Sequence, residues 1–205
     1  MRKLPAWAVL GLAYLAGAVP FSNLAARLLR GVDLRHVGTG TVSGTGLYRI
    51  AGFGPLAVAG SLDVAKGAVG PLLAGRDRPV LAALAGGAAV AGHDWSPFLG
   101  FAGGRGISPA LGALAVNAPA GVAVLGLGLA GGRLARRTSL GCFLAYLALV
   151  PVLARVHGRR GALAGAAVLV PIIAKRLAGN APPPAGPERA RVLWNRLVHD
   201  QDEAP

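Results

Sequence analysis

The sequence predicts an all-α fold, a polytopic membrane bundle of about seven helices. Three observations carry this. Of the 205 residues, 54% are apolar and only 14% are charged. The mean hydropathy is +0.56, far from the balance of an ordinary soluble domain. Several runs of about 15 to 20 residues are almost free of charge, the length needed to cross a hydrocarbon core. A formal charge of +13 in a soluble chain would point to nucleic acid. Here the arginines cluster at the ends of apolar runs, where they contact lipid headgroups and set topology, and no strand alternation indicates an RNA-binding sheet. Nucleic acid is therefore excluded as a partner.

The first run spans about Leu4 to Leu28, with Pro20, Ser22 and Asn23 near its far end. Arg2 and Lys3, an apolar stretch and the small residues Ala16 to Ala18 resemble a secretory signal. More apolar runs follow, so a retained first helix is the reading. Arg27, Arg30 and Arg35 come after it, and the excess of positive charge places the N-terminus outside and the next loop in the cytoplasm.

That loop, Asp33 to Arg49, reads DLRHVGTGTVSGTGLYR. Gly38, Gly40, Gly44 and Gly46 alternate with Thr39, Thr41, Ser43 and Thr45, and Arg35 and Arg49 flank the run. Glycine lets backbone N–H groups approach an anion, hydroxyls add donors, and guanidinium forks match phosphate oxygens. A flexible linker would have the same glycines. The flanking arginines, with a second basic glycine loop at Gly103, Gly104, Arg105 and Gly106, favour phosphate binding. Arg49 and Arg105 have no obvious acidic partner close in sequence, and both are expected to converge on one anion.

The second run, about Ile50 to Ala74, carries Asp63 and Lys66. Three residues apart, they share a helical face and can pair. Such groups inside a membrane face a bundle interior or a polar cavity, which leaves structural ion pair and ligand contact both open. Arg76 and Arg78 mark an outer loop, and a third run from Pro79 to about Val90 leads to GHDWSPFLGFAGGRG. His93 and Asp94 could act as an acid and base, although a lone boundary histidine is more often structural. No spacing supports a catalytic triad or a metal site. From Ile107 to Ala130 the chain is apolar but interrupted at Asn117 to Pro119. Two short helices give seven spans and one kinked helix gives six. Seven is preferred, because Arg133, Arg136, Arg137, Lys175 and Arg176 then lie on the cytoplasmic side, at the cost of Arg155, Arg159 and Arg160 outside.

Runs from Thr138 to Leu153 and Gly161 to Ala174 complete the membrane domain, residues 1–180. Their small residues allow close helix packing, and Cys142 reads as a small core residue. Residues 181–205 form a proline-rich break and an amphipathic tail with Val192, Leu193, Leu197 and Val198 apolar, expected on the cytoplasmic membrane face.

Taken together, GAVPFSNLAARLLRGVDLRHVGTGTVSGTGLYR, LDVAKG at Leu62 to Gly67, and GHDWSPFLGFAGGRG resemble the bacterial acyl-phosphate:glycerol-3-phosphate acyltransferase family. The resemblance covers roughly residues 11 to 116, and the remainder mainly by hydropathy. It implies a seven-helix integral membrane enzyme that transfers an acyl chain from acyl phosphate to the first hydroxyl of glycerol 3-phosphate. The products are lysophosphatidate and phosphate, and no metal or cofactor is implied. By position, Thr39 stands where the family has Ser, Arg49 and His93 match family residues, and Arg105 stands in place of Lys. These four are the candidate catalytic residues. Arg35, Gly38, Gly40, Ser43, Thr45, Gly103 and Gly104 are candidates for the substrate phosphates, with Asp63 and Lys66 matching the family's second-helix pair.

The departures are specific. Thr41 and Gly46 replace two loop asparagines, and Ala102 replaces a lysine. A family His and Asn shortly before an Arg-Leu pair are not evident. Counting back from Arg176 puts Val170 and Ile173 there, and counting back from Arg196 puts Ala190 and Leu193. The reading is acyl transfer in a bacterial inner membrane, with acyl phosphate, glycerol 3-phosphate and membrane lipids as partners. A catalytically silent phosphate-ester binder and a small transporter are the alternatives. Nothing identifies a protein partner.

Overall fold

Pro20 divides the first apolar run. In the computed structural model, which describes residues 3–38, 40–179 and 182–201, α1 (Ala6–Ala18) stops before it and α2 (Phe21–Arg30) starts after it. Thr39, Arg2, Asn180 and residues 202–205 lie outside the described residues. Proline cannot donate a backbone hydrogen bond, so the break frees carbonyls at the end of α1. Ser96 Oγ donates to the Ala18 carbonyl at 2.7 Å and Lys66 Nζ to the Val19 carbonyl at 2.6 Å. α2 then ends at Gly31, which is left-handed at φ 66°, with Val32 N–H donating to the Ala26 carbonyl in a Schellman closure.

α3 (Gly44–Ala51) and α4 (Phe53–Ala74) follow, then α5 (Pro79–Asp94), α6 (Ile107–Asn117), α7 (Ala120–Leu134), α8 (Thr138–Ala178) and α9 (Glu188–His199). All described regular elements are helical. Gly158, at φ 62° and ψ −153°, breaks α8 into two arms. The arms fold back on each other, since a Cβ at Gly161 would lie 2.4 Å from the Leu153 carbonyl oxygen. The charged interruption between two apolar runs is thus a hairpin corner.

Over the described residues the chain runs between the two ends of the bundle seven times, through α1, α4, α5, α6, α7 and the two arms of α8. At one end Arg78 donates to the Leu4 carbonyl at 2.7 Å, Asn117 to the Ala82 carbonyl at 3.0 Å, and the Ala120 N–H to His157 at 3.4 Å. At the other end lie α2, α3, both glycine loops and α9. α6 and α7 are antiparallel neighbours turning at Ala118 and Pro119, so the six-span alternative for Ile107–Ala130 is set aside. The interruption at Asn117 to Pro119 is a turn because Pro119 withdraws a donor and the Asn117 side chain is drawn to α5.

Small residues set the spacing of the helices. A Cβ at Gly17 in α1 would fall 2.0 Å from the Ala89 oxygen of α5, and one at Gly92 in α5 would fall 2.0 Å from the Tyr14 oxygen of α1. The same reciprocity joins α4 and α6 through Gly67 and Gly112. Backbones touching in this way bring van der Waals packing that larger side chains would prevent. α5 is consequently central, packed on α1, α4, α6 and α8. Among the described residues, three helical stretches, Ala6–Arg30, Phe53–Ala74 and Thr138–Ala178, are long and apolar enough to cross a membrane. Trp7, Leu72, Leu127 and Leu144 remain exposed on the bundle; hydrocarbon, not water, suits such a surface.

Candidate active site

The two glycine loops meet through their backbones. The Val42 N–H donates to the Gly103 carbonyl at 3.1 Å, and the Gly104 N–H donates to the His93 carbonyl at 3.1 Å. The second loop has no room for side chains: a Cβ at Gly103 would lie 2.3 Å from the His93 oxygen, and one at Gly104 would lie 2.1 Å from His93 Nε2. Gly106 is left-handed at φ 71° and opens α6. In the first loop, Gly38 and Gly40 are both left-handed, at φ 59° and 69°.

Beside the joined loops is a cavity of about 900 Å³. Ser43, Thr45 and Gly46 line it from the start of α3, Arg49 from its last turn, and Gly38 and Thr41 from the loop before. Ser43 caps α3 by accepting from the Gly46 N–H at 3.2 Å. A helix N-terminus directs unsatisfied N–H groups and positive potential outward, so this wall is suited to an anion. Arg105 contributes from the second loop, Arg133, Arg136 and Arg137 from the α7–α8 turn, and Arg176 from the end of α8. Six arginines thus surround one space. Arg49 and Arg105 share its walls.

Other candidates lie elsewhere. Arg35 does not line the cavity; its Nε and Nη2 bind Asp33, the latter at 2.7 Å, and its Nη1 donates to the Leu99 carbonyl at 3.3 Å. Asp33 also binds Arg27 and accepts the Arg35 backbone N–H. The Arg35 guanidinium beside it holds the Asp33 carboxyl well below the usual carboxylate range. His93, Asp63, Lys66, Gly103 and Gly104 border a separate space of about 10 Å³, too small for a phosphate ester. Asp63 and Lys66 pair at 2.7 Å, and Asp63 accepts from Ser22 at 2.9 Å. Combined with the Lys66 bond to Val19, this ties α4 to the α1–α2 break. In this arrangement these residues support the loops from behind.

Sequence reasoning missed two groups and gave a third another role. Arg133, Arg136 and Arg137 were read only for topology, yet face the cavity. Asp94, read as a possible acid or base with His93, and Lys175, read only for topology, are buried near Arg105; Lys175 Nζ lies 5.4 Å from the Trp95 ring centroid. Most unexpected are His199 and Asp200, which line the cavity from the C-terminal segment. Asp200 Oδ1 is 2.7 Å from Arg105 Nε, so Arg105 does have an acidic partner, supplied from far along the chain. α9 places its apolar Val192 and Val198 against the protein.

The chain is similar to known proteins in sequence and in fold. The family model described as glycerol-3-phosphate acyltransferase matches residues 7–181. The glycerol-3-phosphate acyltransferase of Synechococcus sp. (strain CC9902) is 39% identical over 168 residues, 80% of this chain and 84% of that protein. The enzyme of the same name from Chlorobaculum tepidum is 36% identical over 161 residues, 72% of this chain and 69% of that one. The crystal structure of PlsY (YgiH), an integral membrane glycerol 3-phosphate acyltransferase, in its glycerol 3-phosphate form, is similar with a TM-score of 0.73. It is 28% identical, covering 83% of this chain and 88% of that chain. With nearly the whole helical bundle matched in sequence and in fold, the chain belongs to the glycerol-3-phosphate acyltransferase family.

Proposed function

We propose that this integral membrane protein transfers an acyl chain from acyl phosphate to glycerol 3-phosphate, giving lysophosphatidate for phospholipid synthesis. The observation that carries the reading is the cavity on which Arg49, Arg105 and the N-terminus of α3 converge. Both proposed substrates and both products carry phosphate, and inorganic phosphate is the leaving group. Clustered cations and fixed backbone dipoles stabilise the charge that moves during such a reaction.

The first hydroxyl of glycerol 3-phosphate attacks the acyl carbonyl carbon. The new C–O ester bond forms and the bond from that carbon to the phosphate oxygen breaks. Phosphate leaves with the electron pair and takes up the proton of the attacking hydroxyl. An acyl phosphate is already activated, so the chain has to position two anions and disperse their charge. Arg49 and Arg105 bind phosphate oxygens, and Ser43 and Thr45 add donors at the start of α3. His93, Asp63 and Lys66 keep the loops in register. Exposed apolar faces on the bundle offer the acyl chain a path from membrane lipids.

The cavity end also carries the greater share of arginine, including Arg27, Arg30, Arg133, Arg136 and Arg137. We place it in the cytoplasm of a bacterial inner membrane and the N-terminus outside. Purified protein in lipid should be supplied with acyl phosphate or acyl-CoA separately, with lysophosphatidate and released phosphate both followed. Product from acyl phosphate, strongly reduced in Arg49→Ala, is expected. Product from acyl-CoA alone would overturn the donor assignment. Glycerol 3-phosphate binding without product above the Arg49→Ala background would leave a silent binding homologue.

A further inference from the structure

We infer that the C-terminal helix α9 is a built wall of the anion cavity, with Asp200 a positioning residue that aims Arg105 at the substrate phosphate. This rests on the reading of the cavity as the glycerol 3-phosphate site. The segment lies beyond residues 7–181, the part matched by the family model.

α9 is fixed to the bundle by two reciprocal arginine contacts. Arg176 Nη1 of α8 donates to the Leu197 carbonyl at 2.6 Å. Arg196 Nη1 of α9 donates to the Leu177 and Ala178 carbonyls at 3.2 and 2.9 Å. Carbonyls in the last turn of a helix have no donor within it, so Arg196 supplies what the end of α8 lacks. Both arginines are buried, at 1% and 3% exposure. Val192, Asn195 and Val198 are buried on the same side. Two charged side chains do not stay buried at an interface that readily opens, because each would lose its partners. The helix is therefore a fixed part of the site.

Its last turn delivers the functional groups. Asp200 ends α9 in the left-handed conformation, φ 54° and ψ 41°, with its N–H on the Arg196 carbonyl at 3.2 Å. Aspartate tolerates that conformation better than most residues. The turn brings its carboxylate to Arg105 Nε at 2.7 Å, while Arg105 Nη1 donates to the Lys175 carbonyl at 3.4 Å. A guanidinium is planar and carries five N–H donors. Holding it by an ion pair beside Nε and by one Nη1 hydrogen bond leaves further Nη donors for phosphate oxygens. It also removes rotamer freedom that a free arginine would lose on binding. The opposite effect is equally definite: a carboxylate that competed with phosphate for Arg105 would weaken binding.

The sign of one substitution separates the two. Full-length protein in lipid nanodiscs is assayed for equilibrium binding of radiolabelled glycerol 3-phosphate and for turnover with acyl phosphate. Asp200→Asn is expected to weaken binding and raise KM by about tenfold, the scale of a lost close charge pair, with kcat changed by less than about twofold. Asp200→Glu should recover part of the loss. In an Arg105→Ala background, Asp200→Asn should have no further effect. An unchanged or lower KM and dissociation constant in Asp200→Asn would overturn the inference, and with wild-type turnover intact the acyl-transfer reading would stand. Wild-type protein that binds glycerol 3-phosphate without turnover, but with weaker binding in Asp200→Asn, would retain this inference and remove that reading.

Discussion

The Val42 N–H and the Gly103 carbonyl, 61 positions apart, form a 3.1 Å hydrogen bond that fastens the two glycine loops together. This bond explains how Arg49, in the helix that follows the first loop, and Arg105, in the second loop, reach one cavity. The loops share a framework, so neither arginine depends on its own segment alone for position. Removing either should cost ~1.5–3 kcal/mol of phosphate-ester binding or transition-state stabilisation, the scale of hydrogen bonds to charged groups. Glycerol 3-phosphate affinity and kcat/KM for Arg49→Ala and Arg105→Ala, in correctly inserted protein, measure it. Values equal to wild type in both variants would reduce the loops to connectors.

The framework also leaves no space at Gly104. A Cβ there would meet His93 Nε2 at 2.1 Å and the Val42 carbonyl oxygen at 2.8 Å. Gly104→Ala must therefore part the two loops or displace His93, at about 1–3 kcal/mol of stability. Gly126 on α7 is the control, since nothing lies within 4 Å of the same added atom. There Ala should be neutral or stabilising by about 0.5–1 kcal/mol, because glycine is the poorer helix former. Thermal inactivation in lipid compares the two. Equal effects would mean that the contact with His93 is unimportant.

Local features made much of this legible in sequence. Apolar runs and their interruptions marked the helices, and the corner at Gly158 follows from the charged break HGRR between two such runs. The glycine loops announced themselves because hydroxyls and arginines lie among their glycines. Arg35 shows the limit of reading residue types alone: Asp33, two positions earlier, holds it in a short turn away from the cavity. His93 was legible as a neighbour of the second loop, but the rotation of the last turn of α5 decides that it faces the smaller space. The Asp200–Arg105 and Arg176–Leu197 contacts were not legible. They depend on where a proline-rich connection returns α9, and no periodicity encodes that.

Acid should loosen the first loop through Asp33. Its carboxyl is held well below the ordinary range, first by the Arg35 hydrogen bonds and also by Arg27. Its side chain is 12% exposed. A carboxyl depressed in the folded state contributes stability that is fully present above its unfolded-state value, about 3.9. That contribution is lost as pH falls below about 4 toward the depressed folded-state value. Asp33→Asn should therefore be less stable than wild type at neutral pH, with the difference shrinking below about pH 4. Melting of both proteins in the same detergent across that range measures it. A difference that stays constant with pH would show that the ion pairs contribute nothing through charge.

Orientation is the remaining test, because the seven passes place Thr41 and Asp77 at opposite ends of the bundle. Asp77 lies in the α4–α5 turn beside Lys3, and Thr41 lines the cavity between the glycine loops. If the arginine-rich end is cytoplasmic, where soluble glycerol 3-phosphate is available, a cysteine at 77 should react with an impermeant maleimide on intact cells. A cysteine at 41 should react only after permeabilisation. Cys142 also lines the cavity and is 4% exposed, so Cys142→Ala provides the background for both single-cysteine proteins. The labelling is interpretable only in variants that still bind glycerol 3-phosphate, which shows that each has inserted and folded. Reaction of residue 41 from outside intact cells, with residue 77 protected, would invert the orientation and place the anion cavity away from cytosolic substrate. Reaction of both from outside would contradict the odd number of passes itself, because positions 41 and 77 are separated by one traverse, α4.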